Sequence, residues 1–265
     1  MKKVLTIAGS DCSGGAGVQA DLKTMTANGV YGMSVITALT AQNTTGVRSV
    51  RNTDPDFFRD QLDAVFEDIF PDSIKTGMIA DERLIVIAVE RLRHYKAKNI
   101  VVDPVMVATS GASLSDQKSV KAMTEHLFPI SSLVTPNIPE AEVLSGMKIF
   151  SKEARIDACK KIFETSGCSV LIKGGHDDQN SDDILYHADE IYEFGSIRID
   201  NPNTHGTGCT LSSAIACNLA KGMSIPDSVS RAKKYVTGAI SAMLDLGYGR
   251  GPLDHGFDIR TDYKD

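Results

Sequence analysis

No stretch of this 265-residue sequence approaches the roughly 18 consecutive apolar residues that a membrane-spanning helix needs, so a bilayer span is not expected. The opening "MKKVLTIAGSD" has two lysines, but its apolar stretch is too short for a signal peptide and carries no cleavage site. Cysteine pairs are also missing. The five cysteines (12, 159, 168, 209 and 217) are odd in number, scattered, and never spaced C-x-x-C. A disulfide framework and a zinc site are therefore disfavoured, and the reducing cytoplasm is the expected compartment. Basic clusters are absent: 28 Lys and Arg face 34 Asp and Glu, for a formal charge of -6. This argues against nucleic acid or an anionic membrane as the main partner, while a phosphorylated small molecule stays open. No G-K-[ST] follows any glycine, so a P-loop is excluded. Internal repeats and low-complexity linkers are lacking too.

What is present is an ordinary globular composition, 42% hydrophobic and 23% charged, long enough for one large α/β domain or two small ones. Short apolar runs read as buried strands at 4–9, 34–40, 73–78, 99–105, 132–137 and 169–175. Helical spacing is clearest at 57–70, where Phe58, Leu62, Val65, Phe66 and Ile69 form one stripe. Segments 82–96, 116–128, 139–146 and 152–166 behave similarly. After residue 183, "DILYHADEIYEFGSIRID" predicts two antiparallel strands, and helices at 208–221 and 226–246 close the chain. The second of these carries Val229, Ala232, Val236, Ile240 and Met243 at helical spacing. Repeated β-α units imply one domain with a mostly parallel sheet covered on both faces. In such sheets the site lies beyond the carboxyl ends of the strands. Asp11, Gln42, Met78, Asp103, Asn137 and Lys173 fall on that rim.

Two glycine clusters stand out. The first, "GSDCSGGAGVQADLKT" (9–24), contains a G-x-G-x-x-A match. A dinucleotide site also needs an acidic residue at the end of the next strand, and here that strand ends in Gln42 and Asn43. The glycines either let the backbone approach a small ligand, with Asp11 and Asp21 as acceptors, or form an ordinary strand-to-helix turn. The second cluster is Gly206-Thr207-Gly208, followed by Cys209 and a helix rich in Ser and Ala. Unpaired N–H groups at such a helix mouth suit a phosphoryl group. A thiol there is expected to fall below its usual value of about 8.5 and to serve as a general base. The competing reading is a buried cysteine that happens to begin a helix; Cys217 fits that description better.

The motifs "GGAGVQADLKT", "TALTAQNTTGV", "IKTGM", "VVDPVM", "VTPNIPEAE", "LIKGGH" and "HGTGCTLSSAIA" occur in this order. Together they make the chain, from about residue 3 to 255, resemble the hydroxymethylpyrimidine kinases of the ribokinase superfamily. These enzymes phosphorylate hydroxymethylpyrimidine and then its monophosphate, using ATP and Mg²⁺. The resemblance implies a three-layer α/β/α ribokinase-like fold over 1–265, with a mostly parallel central sheet and a small β-hairpin, and a homodimer. It makes Cys209 the base and the Gly206-Thr207-Gly208 turn the anion hole, with Thr207 also touching nucleotide. Lys173 would neutralise ATP phosphate. Asn137 and Glu140, as N-x-x-E, and Asp103 would lie by the magnesium and phosphates. Gln42 would read the pyrimidine, with Asp21 and Met78 in the same pocket beside Asp11.

Plainer roles compete with several of these. Lys173 also reads as a strand-end lysine, Glu140 as a first-turn helix carboxylate, and Asp103 as a strand terminator. His176 and His205 flank the motifs without an assigned catalytic role, and Cys12 reads as packing. Some vitamin B6 kinases of this branch carry a second cysteine in the loop after "DPVMV"; here that loop has Ala108 and Thr109. A pyridoxine or pyridoxal kinase is the nearest alternative, and Gln42 favours the pyrimidine. A nicotinamide-dependent oxidoreductase is weakened by the missing ribose carboxylate. A non-catalytic pyrimidine-binding module does not account for Lys173, Glu140 and Cys209 together.

Overall fold

The computed structural model describes residues 1–106, 116–174, 182–195 and 199–260. In chain order its first half runs β1 (Lys3–Asp11), α1 (Gly17–Ala27), β2 (Tyr31–Asn43), β3 (Gly46–Asn52), α2 (Pro55–Asp68), β4 (Ser73–Thr76), α3 (Glu82–His94) and β5 (Ile100–Val102). The second half runs α4 (Gln117–Ala122), β6 (Leu133–Val134), α5 (Ile138–Ser145), α6 (Lys152–Ser166), β7 (Ser169–Ile172), β8 (Asp183–His187), β9 (Glu190–Phe194), α7 (Thr207–Ala220) and α8 (Ile225–Ser241). The strands form one sheet in the order β3-β2-β1-β4-β5-β6-β7-β8-β9. Pairing is parallel from β2 through β7 and antiparallel at both edges.

Strict alternation sorts the strand side chains between two apolar layers. Ile100, Val102, Val134, Val170 and Ile172 face one side, with α2 to α6; Val101, Leu133 and Leu171 face the other, with α1, α7 and α8. This is the period-2 geometry of a strand buried on both faces. Each Leu, Ile or Phe so enclosed contributes about 1.5–3 kcal/mol. α2 presents Phe58, Leu62 and Phe66 at four-residue spacing, and all three are buried. Its start is fixed by Asp54, whose side chain accepts the Asp56 and Phe57 N–H groups, and by Pro55 in the first turn.

Topology places the crevice. β1 pairs in parallel with both β2 and β4, so successive connections leave it in opposite directions. Such a switch point opens a gap beyond the carboxyl ends of the two strands. Among the described residues no helix is long and apolar enough to cross a membrane.

Three elements differ from the sequence reading. β2 runs past residue 40 to Asn43 and returns as β3, an edge strand the sequence did not reveal because "GVRSVRN" is mostly exposed and has no apolar face. The segment expected as one helix over 116–128 is instead α4 followed by a π turn (Met123–Leu127) and a 3₁₀ turn (Phe128–Ile130) containing Pro129. α8 stops at Ser241 rather than 246, and Met243 lies outside it, 53% exposed with φ 55°. The two antiparallel strands expected after residue 183 are present as β8 and β9.

Candidate active site

The two glycine clusters, distant in sequence, pack against each other. Gly206 caps the amino end of α7 in the left-handed region, φ 84°, and a Cβ there would strike the Gly15 carbonyl oxygen. Only glycine tolerates both the angle and the approach. A Cβ on Gly208 would come within 3.4 Å of Asp103 Oδ2 and of Lys173 Nζ. The mouth of α7 thus lies between the 14–17 turn and an Asp103–Lys173 pair. From Thr210 to Ala220 the helix is buried, its small side chains allowing close approach to the sheet.

Beside the helix mouth, Lys173 Nζ donates to Asp103 Oδ1 at 2.9 Å. Asn137 and Glu140 form a capping box at α5: each accepts the other's backbone N–H, both at 2.9 Å. Glu140 is therefore the helix-start carboxylate that the plainer reading named. It is also 5% exposed and close enough to Asp103 and Lys173 to feel both. Burial pushes its carboxyl up, Lys173 pulls it down and Asp103 pushes it up again, with a net rise. Burial pulls Lys173 down, but Asp103 and Glu140 outweigh it and hold the ammonium above its usual range. Two carboxyl groups face one ammonium here, and a divalent cation beside them would favour both in the charged form. Among the described residues no group of three or more His, Cys, Asp or Glu gathers into a metal cage. The donor set fits Mg²⁺, which keeps several waters and binds through one or two carboxylates plus substrate phosphates.

Below Cys209 lies a second ion pair, fully enclosed. Lys75 Nζ sits 3.0 and 2.9 Å from the two Asp21 oxygens, with both side chains 0% exposed. Thr6 Oγ1 donates to Asp21 Oδ2 at 2.6 Å and Ser213 Oγ donates to Oδ1 at 2.7 Å. Asp21, expected in the substrate pocket, is thus placed beneath it with both carboxylate oxygens engaged. Burial pulls Lys75 down, but Asp21, Cys209 and Asp103 raise it further than that.

The expected acidification of Cys209 is not found. Burial pushes its thiol up to about 11; Lys75 pulls down, while Asp21 and Asp103 push up. The Gly17 N–H directed at the sulfur lowers it only partly. Desolvation and two carboxylates outweigh the donors that the helix-mouth argument counted. The plainer reading, a deeply buried cysteine, does not hold in full either, because the side chain stays partly exposed.

On the other flank, Asp11 organises the first glycine turn. Its carboxylate accepts the Ser13, Gly15 and Ala16 N–H groups, the Ser13 hydroxyl at 2.7 Å, and His205 Nε2 at 2.8 Å. Burial raises its carboxyl, but these bonds, led by His205, hold it down at about 2. His205 also lies 3.2 Å from the Gln42 amide. Cys12 Sγ contacts the Gln42 carbonyl and N–H at 3.1 and 3.4 Å, latching that strand end to the turn. Met78 is half-buried, and its Cε occupies the space that a side chain on Gly9 would take. A cleft of about 460 Å³ opens nearby between the β2–β3 turn, His205, Gly249 and Arg250; Gln42, Met78, Asp11, Cys209 and Lys173 all lie outside its lining.

The structure therefore brings Cys209, Gly206, Thr207, Gly208, Lys173, Asp103, Asn137 and Glu140 to the helix mouth. Gln42, Met78 and Asp11 stand on the adjoining side. Sequence reading missed Lys75, and it named His205 without assigning it a role. The signal for Lys75 was present: a lysine inside the run "SIKTGM", read as a buried strand, requires a partner. His205 carried no signal beyond adjacency to the Gly-Thr-Gly turn. Ala108, Thr109 and His176 lie outside the described residues.

A family model described as phosphomethylpyrimidine kinase matches residues 11–254. The chain is 50% identical, over 95% of its length, to the thiamine biosynthesis bifunctional protein ThiED of Geobacter sulfurreducens, and spans only 52% of that relative. It is 47% identical to the hydroxymethylpyrimidine/phosphomethylpyrimidine kinase of Rhizobium meliloti, covering 95% of this chain and 96% of that one. Among solved structures, the phosphomethylpyrimidine kinase of Clostridium difficile superposes with TM-score 0.82 at 43% identity, covering 91% of this chain and all of that one. The ADP complex of Bacillus subtilis pyridoxal kinase does so with TM-score 0.89 at 38% identity, covering 97% and 98%. These relatives share the fold and the class of chemistry that the site was read to have: the chain belongs to the phosphomethylpyrimidine kinase family and is a phosphotransferase with a ribokinase-like fold.

Proposed function

We propose that this kinase transfers the terminal phosphoryl group of ATP to hydroxymethylpyrimidine and to its monophosphate, in thiamine biosynthesis. One observation carries the reading: a lysine–carboxylate cluster lies beside Gly208 at the mouth of α7, and His205, just ahead of that helix, faces a primary amide, Gln42. Phosphoryl transfer asks a protein mainly for positioning and charge neutralisation. The Gly206-Thr207-Gly208 turn would hold the moving phosphoryl, led by the Gly206 and Gly208 N–H groups because the Thr207 N–H donates to the Thr204 carbonyl at 3.3 Å, and Lys173 would offset its charge. Asn137, Glu140 and Asp103 are the residues that would hold Mg²⁺, which supplies further neutralisation between the phosphates. Gln42 pairs with the aminopyrimidine edge, Met78 offers an apolar wall for the ring, and Asp11 and Asp21 hold that pocket together from behind.

Cys209 would take the proton of the attacking hydroxyl, a role supported by Lys75, the buried cation that favours its thiolate. The second acceptor behaves differently. A phosphomonoester is already ionised at neutral pH, with a second pKa of about 6, and needs no base.

Residues 1–265 are read as one domain, supported by a single continuous sheet. Five free cysteines support a cytoplasmic setting. A homodimer is supported by Leu39 and Val50, exposed on the edge hairpin at 55% and 44%. Pyridoxal phosphorylation is the second reading, favoured by the close superposition on the pyridoxal kinase.

The test is transfer of label from γ-labelled ATP to hydroxymethylpyrimidine, its monophosphate, and pyridoxal, each with and without magnesium. Magnesium-dependent labelling of both pyrimidines ahead of pyridoxal is expected. Labelling of pyridoxal alone would replace this reading with the second one.

A further inference from the structure

We propose that the Asp11–His205 pair fixes which way the Gln42 amide faces, so that the site accepts an amino group beside a ring nitrogen and refuses the oxo counterpart. The inference rests on the pyrimidine reading above and adds the residue that sets the order of donor and acceptor.

Asp11 is ionised throughout the neutral range and can only accept hydrogen bonds. His205 Nε2, 2.8 Å from its Oδ2, must therefore carry the hydrogen. That nitrogen then has no lone pair to offer, yet Gln42 Nε2 faces it at 3.2 Å, donor against donor. The other end of the amide repeats the conflict. Thr40 Oγ1 lies 3.4 Å from Gln42 Oε1, but donates its one hydrogen to the Ser10 carbonyl at 2.9 Å. This leaves acceptor against acceptor.

A half-turn of the amide resolves both contacts at once. The oxygen then shares the His205 N–H with Asp11 Oδ2, as the second acceptor of a three-centre bond, and the nitrogen donates to Thr40 Oγ1. The two ends of a glutamine amide differ by that turn alone, and their partners choose between them. The choosing group is rigid. The side chains of His205 and Asp11 are 8% and 4% exposed, and Asp11 is tied by four further bonds to the 13–16 turn.

Gln42 is then left presenting an acceptor on its His205 side and a donor on its Thr40 side. An aminopyrimidine, with N–H beside a ring nitrogen lone pair, matches in one orientation. The oxo analogue, with a carbonyl beside a ring N–H, presents the reverse order, and a pinned amide cannot turn to meet it. His205 acts through Gln42 and is a positioning residue.

Two measurements test this. The first is long-range ¹H–¹⁵N correlation of histidine-labelled wild-type enzyme at pH 7.5, with His205 assigned by the signal lost in His205→Leu. It should show a protonated Nε2; an unprotonated Nε2 overturns the proposal. The second compares kcat/KM for hydroxymethylpyrimidine and its 4-oxo analogue. Wild type should favour the amino compound by at least about a hundredfold, and His205→Leu should bring the ratio to within about tenfold, mainly through KM. Equal losses on both compounds, the signature of a merely structural histidine, overturn it. If wild type phosphorylates neither compound the substrate reading falls, while the nitrogen measurement still decides the role of His205.

Discussion

Two lysine–aspartate pairs flank Cys209, with the same charges and nearly the same spacing, yet they sit in different surroundings. Lys75–Asp21, at 2.9 Å, is sealed at 0% exposure and completed by two hydroxyls. Lys173–Asp103, also at 2.9 Å, leaves the lysine side chain 15% exposed and has a third charge beside it, Glu140. The sealed pair is electrically closed, so it can only shape the field around its neighbours. The open pair has a further carboxyl group beside it and a partly exposed lysine, which is what a phosphate and a divalent cation together could use. On the proposed reading, identical ion pairs become scaffold or tool according to what completes them.

The sharpest way to break this comparison is to remove each ammonium in turn. Lys75→Met strands a buried carboxylate and should cost about 3–5 kcal/mol of stability, read by denaturant unfolding; Lys75→Met with Asp21→Asn should recover most of it. Lys173→Met should cost less stability but lower turnover on the order of 10²–10³-fold. Equal stability losses from the two single variants would mean that the pairs are not different in kind.

A smaller effect is expected at the sulfur between them. Cys209→Ala should slow phosphorylation of the alcohol by about a hundredfold, and of the monophosphate by much less. Because burial lifts the thiol to about 11, turnover on the alcohol should climb with pH through the neutral range, and this slope should vanish in Cys209→Ala. A flat wild-type profile would remove the thiolate from the mechanism.

The smallest effect concerns a carboxylate held by N–H groups and an imidazole instead of an ammonium. The carboxyl of Asp11 is depressed to about 2. Its contribution is therefore complete above its unfolded value of about 3.9 and is lost as pH falls through about 2. Asp11→Asn should lower stability at pH 7 by about 2 kcal/mol, and wild type and variant should converge near pH 2. A constant difference down to pH 2 would show that Asp11 is not the titrating group.

Legibility followed exposure and distance along the chain. Strands buried on both faces announced themselves as apolar runs, and α2 as a stripe, because every residue there answers to the same layer. β3 did not, since an exposed edge strand has no face to pattern. Nor did the end of α8, where Met243 continued the stripe after the helix had ended. The helix-mouth residues were legible because glycine turns mark close approach. The acidity of Cys209 was misjudged because its sign depends first on burial, and then on groups 188 positions away (Asp21) and 106 positions away (Asp103), both of which raise it.

Sequence alone determined the layered α/β order and the rim on which most of the candidate residues gather, because strand alternation and glycine turns are local requirements. Only the tertiary structure decided which charges are sealed and which are open, the direction in which Cys209 shifts, and the company His205 keeps. Those properties depend on desolvation and on hydrogen bonds between segments the chain itself keeps far apart, and neither exists until the segments meet.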